Sequence, residues 1–125
     1  MPFISAARRR VQDGPDDAVS ATLEYLLQNA IGRRNAVSTA SILEHLNSLG
    51  FTFSTLPQFQ QTVLRESRLN NYYIAANNSG LFLIESQEDA QEAYDFIRNR
   101  INAELRNLEN IERIAADGSW NLDAD

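Results

Sequence analysis

From Leu56 to Ile84 the chain reads LPQFQQTVLRESRLNNYYIAANNSGLFLI, and the spacing of apolar residues changes partway along it. Leu56, Phe59, Val63 and Leu64 recur at helical intervals, with Pro57 in the first turn, where its missing N–H costs nothing. After Asn70-Asn71 the aromatic and apolar runs Tyr72-Tyr73-Ile74-Ala75-Ala76 and Leu81-Phe82-Leu83-Ile84 flank Asn77-Asn78-Ser79-Gly80, residues that tolerate a left-handed backbone. The segment therefore predicts a helix followed by a β-hairpin. Tyr72 and Tyr73 alternate to opposite faces, and one of the two is expected to be exposed.

Two more helices precede this segment. Asp16 or Asp17 caps the first, whose buried stripe is Val19, Leu23, Leu26, Leu27, Ala30 and Ile31 and which Gly32 ends. Asn35 to Ser38 leaves room for a single extended bridge. Ser38 or Thr39 then caps the second, with Ile42, Leu43, Leu46 and Leu49 inward and Gly50 at its end. Residues 1–15 hold Arg8-Arg9-Arg10 and the turn signal Asp13-Gly14-Pro15, and read as a flexible basic arm. Ser86 opens the longest helix, over 86–116, with a stripe of Tyr94, Ile97, Ile101, Leu105, Leu108, Ile111 and Ile114 or Ala115. Gly118 stops it and residues 117–125 form an acidic tail. The fold class is α+β and mostly helical, a three-helix-plus-hairpin domain over 16–85 with a long C-terminal amphipathic helix.

Composition narrows the chemistry. Among 125 residues there is no cysteine, one histidine (His45) and no lysine, all eleven basic residues being arginine. Thiolate chemistry, cysteine-ligated metals, Schiff-base lysines and the lysine of phosphate-binding loops are thereby excluded. Glu44 and His45 are adjacent on a helix and point about 100° apart, so they do not converge on one atom. Glu88, Asp89, Glu92 and Asp95 lack the spacing of a calcium loop and are assigned to the helix N-terminus and to solubility. No catalytic constellation, metal site or cofactor is expected, and the chain reads as a binding module rather than an enzyme.

The net charge of −6 is unevenly spread. Through Ile84 seven arginines face six acids, whereas from Glu85 onward four arginines face eleven acids. An N-terminal domain near +1 can meet a polyanion while the acidic segment does something else. No apolar run approaches the ~20 residues of a membrane span. The arginines near the start follow a very short apolar stretch, the reverse of a secretory signal, and the expected location is cytoplasmic.

Helix, bridge, helix, helix and hairpin is an order that resembles a winged helix-turn-helix domain. The residues carrying the resemblance are Ser38 to Leu46, Phe59 to Arg65, and the wing from Tyr73 to Ile84. The tract from Tyr72 into the last helix is similar to small winged-helix DNA-binding proteins of phages and other mobile elements. The resemblance implies that the third helix enters the major groove of double-stranded DNA, where glutamine and arginine bond adenine and guanine. Its reading face would be Thr55, Gln58, Gln61, Thr62, Arg65 and Arg68, and its wing tip Asn77, Asn78 and Ser79. Arg33 and Arg34 would contact phosphates. The wing tip has no basic residue and Glu66 lies on the third helix, both departures from the pattern.

A domain near +1 should bind DNA weakly alone, because phosphate neutralisation supplies most non-specific affinity. Pairing two copies through Ile97, Ile101, Leu105, Leu108 and Ile111 would double those contacts and match a pseudo-palindromic site; the alternative is that the helix folds back on its own domain, as its N-terminal half from Tyr94 to Ile101 is expected to do. The expectation is a dimeric transcriptional or mobile-element regulator. The alternative is a protein-interaction module or DNA mimic, acting on a basic partner through its acidic C-terminal segment.

Overall fold

A computed structural model describes residues 2–122, which divide into two compact units, residues 2–93 and 94–122. The first contains helices α1 (Pro2–Asp13), α2 (Ala18–Asn29) and α3 (Thr39–Ser48). Helix α4 spans residues 56–68 without a break, as an α turn (Leu56–Phe59), a π segment (Gln60–Leu64) and a second α turn (Arg65–Arg68). Strands β1 (Ile74–Asn77) and β2 (Gly80–Leu83) follow. Helix α5 (Gln87–Asp117) begins in the first unit and makes up most of the second. The chain is mostly helical, with a two-stranded antiparallel sheet and a long C-terminal helix.

The helix starts follow from their caps. The Asp17 carboxylate accepts from the Ser20 N–H at 3.0 Å, and the Ser38 hydroxyl from the Ser41 N–H at 3.1 Å. Ser86 accepts from the Asp89 N–H at 3.1 Å and opens α5. Each satisfies a donor that the first helical turn leaves without a partner.

The hairpin pairs Ile74 with Leu83 and Asn77 with Gly80. β2 is also held on its other side by the chain between α2 and α3: Val37 and Leu81 exchange two bonds of 2.8 and 2.9 Å, and Leu83 donates to the Ala30 carbonyl at 2.8 Å. Side-chain alternation then sends Ile74, Leu81 and Leu83 into the main core with Leu23, Leu26, Ile42, Leu46, Phe59 and Val63. Ala75, Phe82 and Ile84 go to a second cluster with Ala93 at the start of α5. Both tyrosines before β1 are half-buried: Tyr72 packs on the main core and Tyr73 on the second cluster. They do take opposite faces, yet neither is the exposed ring that the sequence predicts.

Residues 2–13, expected to be part of a mobile arm, form a helix instead. Ile4 and Ala7 are buried and Val11 packs on the same core, so spacings of three and four give the segment an inward face beneath its arginine run. Leu49 and Leu56, expected inside, are exposed. Leu49 is the C-cap of α3, with ψ near 0°, and has left the helical stripe; Leu56 is the first residue of α4, ahead of the turn that reaches the core.

The second unit is the rest of α5 and a short turn after it. Trp120 donates its N–H back to the Ala115 carbonyl at 2.8 Å, reversing the chain past Gly118. Tyr94, Ile97, Ile101, Leu105, Leu108, Ile111 and Ile114 are all exposed, whereas Ala115 is buried. Of the predicted tail, residues 123–125 lie outside the described residues.

Candidate functional site

The outward face of α4 and the turn of the hairpin carry most of the side chains expected to touch a ligand. Their backbone is set by two features. Thr55 caps α4, accepting from the Gln58 N–H at 3.2 Å, and the π segment follows, in which Arg65 donates to the Gln60 carbonyl five residues back. The wider turn places the adjacent Val63 and Leu64 inside together while Gln60, Gln61, Thr62 and Arg65 face solvent. Phe59 anchors the helix from below, edge-on to Phe53 at 5.6 Å between ring centroids.

The predicted residues divide into those left free and those already engaged. Gln61, Thr62, Arg65 and Arg68 are exposed, and Arg68 lies over the Tyr73 ring at 5.9 Å from its centroid. Thr55 and Gln58 are exposed but serve the helix start. The Gln58 amide oxygen accepts from the Ser54 N–H at 2.9 Å and from its hydroxyl at 2.8 Å, leaving the amide NH2 outward. Asn78 and Ser79 stand exposed at the tip of the turn. Asn77 is committed to the turn itself, its oxygen accepting from the N–H groups of Ser79 and Gly80 and its NH2 group donating to the Arg33 carbonyl and to Glu92.

Of the two arginines after α2, Arg34 is exposed while Arg33 is engaged. The Arg33 guanidinium lies 2.8 Å from an Asp89 oxygen, and the Arg33 N–H also donates to that carboxylate. The second Asp89 oxygen accepts from the Glu85 N–H at 3.0 Å. Asp89 is 2% exposed. Burial alone would raise its pKa, but the Glu85 N–H and the Arg33 bonds more than offset it and hold the carboxyl below its ordinary value. The bond to Asp89 raises the Arg33 pKa in turn. Expected as a helix-terminus acid, Asp89 is thus a buried link between α5 and the chain after α2, and Arg33 is withdrawn from the set of free cations.

The basic run on α1 divides too. Arg8 and Arg9 are exposed, whereas Arg10 turns inward to Asp17 at 3.0 Å and Glu66 at 3.2 Å. Burial opposes its charge, yet bonds to Tyr72, Asp17 and Glu66 outweigh that and raise the guanidinium pKa. Glu66 is thereby neutralised on the inner side of α4. Arg9 lines an open groove with Asp13, Leu69, Asn70 and Asn71, next to the segment that ends α4. Sequence reasoning gave it no fixed position. It also missed the exposed Gln60 and the Tyr73 platform under Arg68.

Arg8, Arg9, Arg34, Arg65 and Arg68 make no ion pair among the described residues. These five cations lie on α1, α4 and the turn after α2, while the four acids from Glu85 to Glu92, at and beyond the start of α5, bring the first unit to a net negative charge. His45 stacks on Tyr25 at 4.7 Å between centroids and belongs to the packing of α2 on α3. Among the described residues no group of three or more His, Cys, Asp or Glu is placed to hold a metal ion, and no helix is long and apolar enough to cross a membrane. No family model, curated protein or solved structure matches the chain.

Proposed function

We propose that the first unit is a winged-helix domain that binds double-stranded DNA in the cytoplasm, as a non-enzymatic regulator, with α4 in the major groove and the hairpin turn against the backbone. One observation carries the reading: Gln61, Thr62, Arg65 and Arg68 project from one well-anchored helix, unburied and with no ion pair among the described residues. Glutamine and arginine supply base-edge bonds, and the arginines also supply phosphate neutralisation. Gln58 keeps its NH2 group for a base acceptor, and Arg9 and Arg34 serve as phosphate contacts. Asn78 and Ser79 meet the backbone through neutral hydrogen bonds, which fits a turn without a cation.

The chain acts as a pair. Five cations give a single unit modest affinity, and the uncovered stripe of α5 supplies a surface on which two copies associate. Passing a randomised pool of duplexes over the protein at low salt tests the reading. Recovered duplexes should converge on one motif, and substitution of Gln61 should relax preference at one or two positions of it. Recovery of no duplex above background contradicts the proposal.

A further inference from the structure

Helix α5 carries in its own sequence a preference for the direction in which a second copy lies. With Tyr94 at heptad position a, Ile101, Leu108 and Ala115 share position a, and Ile97, Glu104 and Ile111 share position d. Arg98, Leu105 and Glu112 then flank the seam at e, while Arg100, Asn107 and Ile114 flank it at g.

In a parallel, in-register pair the two Glu104 carboxylates would face one another in a core layer. The flanking pairs would be Arg100 with Leu105 and Asn107 with Glu112, neither of them attractive by charge. Reversing one helix removes both defects. Layers of a against d then match Ile101 with Ile111 and set Glu104 beside Leu108, so the glutamates separate. Position e meets position e, which places Arg98 of each copy against Glu112 of the other, two opposite-charge pairs across one seam.

Two further observations agree. The Arg98 guanidinium is already fixed at the edge of the stripe, donating to the Tyr94 hydroxyl at 2.8 Å. An apolar hollow lined by Ile111, Ile114, Ala115, Gly118, Trp120 and Leu122 sits at the far end of the helix. In the reversed pair Tyr94 of one copy comes level with Gly118 of the other and fills that hollow. Opposed helix dipoles add to the preference.

We propose that α5 forms an antiparallel two-helix seam with a second copy of this chain, centred near Arg106 and specified by Arg98–Glu112 pairs. The inference rests on the reading that the chain pairs with itself. Because the protein has no cysteine, single cysteines introduced at Asn99 and Arg113, both on the outer side of the helix, carry spin labels without background. In the antiparallel pair, Asn99 of one copy and Arg113 of the other have no axial offset, while two Asn99 labels are offset by about 21 Å. In a parallel pair the order inverts.

Sedimentation of the full chain is run alongside. R98E should weaken association roughly tenfold by placing two carboxylates together, and R98E/E112R should restore it to within about threefold. A dimer with the shorter distance between two Asn99 labels, or with no recovery in the double variant, overturns the orientation and leaves pairing intact. A monomer throughout overturns pairing itself.

Discussion

Arg10 on α1 and Glu66 on α4 are joined at 3.2 Å, and the same guanidinium holds Asp17, the cap of α2, at 3.0 Å. One side chain, 11% exposed, thus ties three helices together behind the proposed DNA-binding face. It also cancels the acid on α4 that would repel a phosphate backbone. The N-terminal segment is in this way part of the domain and a support for the site.

Removing α1 should therefore unfold the first unit. Arg10→Ala leaves two partly exposed acids and the Tyr72 hydroxyl without their cation, and is expected to cost about 1–2 kcal/mol. Ile4→Ala, at a position 2% exposed, should cost about 2–4 kcal/mol. Thermal melting followed by circular dichroism checks both; variants melting with the parent protein would mean that the segment is an unanchored arm.

Gly80 and Gly50 separate close approach from backbone conformation. Both have positive φ, +139° and +92°. A Cβ at Gly80 would lie 2.0 Å from the Val37 carbonyl oxygen, whereas one at Gly50 would have nothing within 4 Å. Gly50→Ala should cost about 1 kcal/mol, the price of the left-handed backbone alone. Gly80→Ala must also break the Val37–Leu81 bonds that hold the hairpin to the domain, and should cost about 3 kcal/mol or more. Urea denaturation of the two variants measures the difference, and equal losses would refute the role given to Val37.

The buried Asp89 sets an acid limit. Its folded pKa lies below the ordinary aspartate value near 3.9, so in that interval the unfolded chain takes up a proton that the folded chain does not. Its contribution is present in full above the unfolded value and is lost as pH falls through the folded one. Asp17, also lowered despite burial because it accepts from the Ser20 N–H and from Arg10, acts in the same direction. Stability should be flat near neutrality and fall below about pH 4. Asp89→Asn should lower the plateau by about 2 kcal/mol and make the acid limb shallower. An unchanged limb would contradict the assignment.

The hairpin was legible because its turn chemistry is local: Asn77 to Gly80 must reverse the chain between two apolar runs, and Asn77 does so by accepting from Ser79 and Gly80. The exposed stripe of α4 is legible in the sequence because Gln58, Gln61, Arg65 and Arg68 follow one another at steps of three, four and three, which puts them on one helix face. Other features are set by residues far apart in the chain. Arg33 and Asp89 meet across 56 positions and Arg10 and Glu66 across another 56, so only the folded chain shows which cations are spent on acids. The π segment was hidden for a different reason: Gln60 to Leu64 has an ordinary helical composition, and the wider turn emerges from seating Phe59, Val63 and Leu64 in one core.

Whether α4 meets duplex DNA is decided by binding of a fluorescent duplex pool, measured against salt concentration for the parent protein and for Arg65→Ala/Arg68→Ala. Both arginines are exposed, so the variant should keep its far-ultraviolet spectrum and melting temperature. The parent should show measurable affinity at low salt and a linear fall of log K with log salt, with a slope smaller by about 2 per chain in the variant. A parent protein that binds no duplex at low salt, or a variant with the parent's affinity and slope, would contradict it.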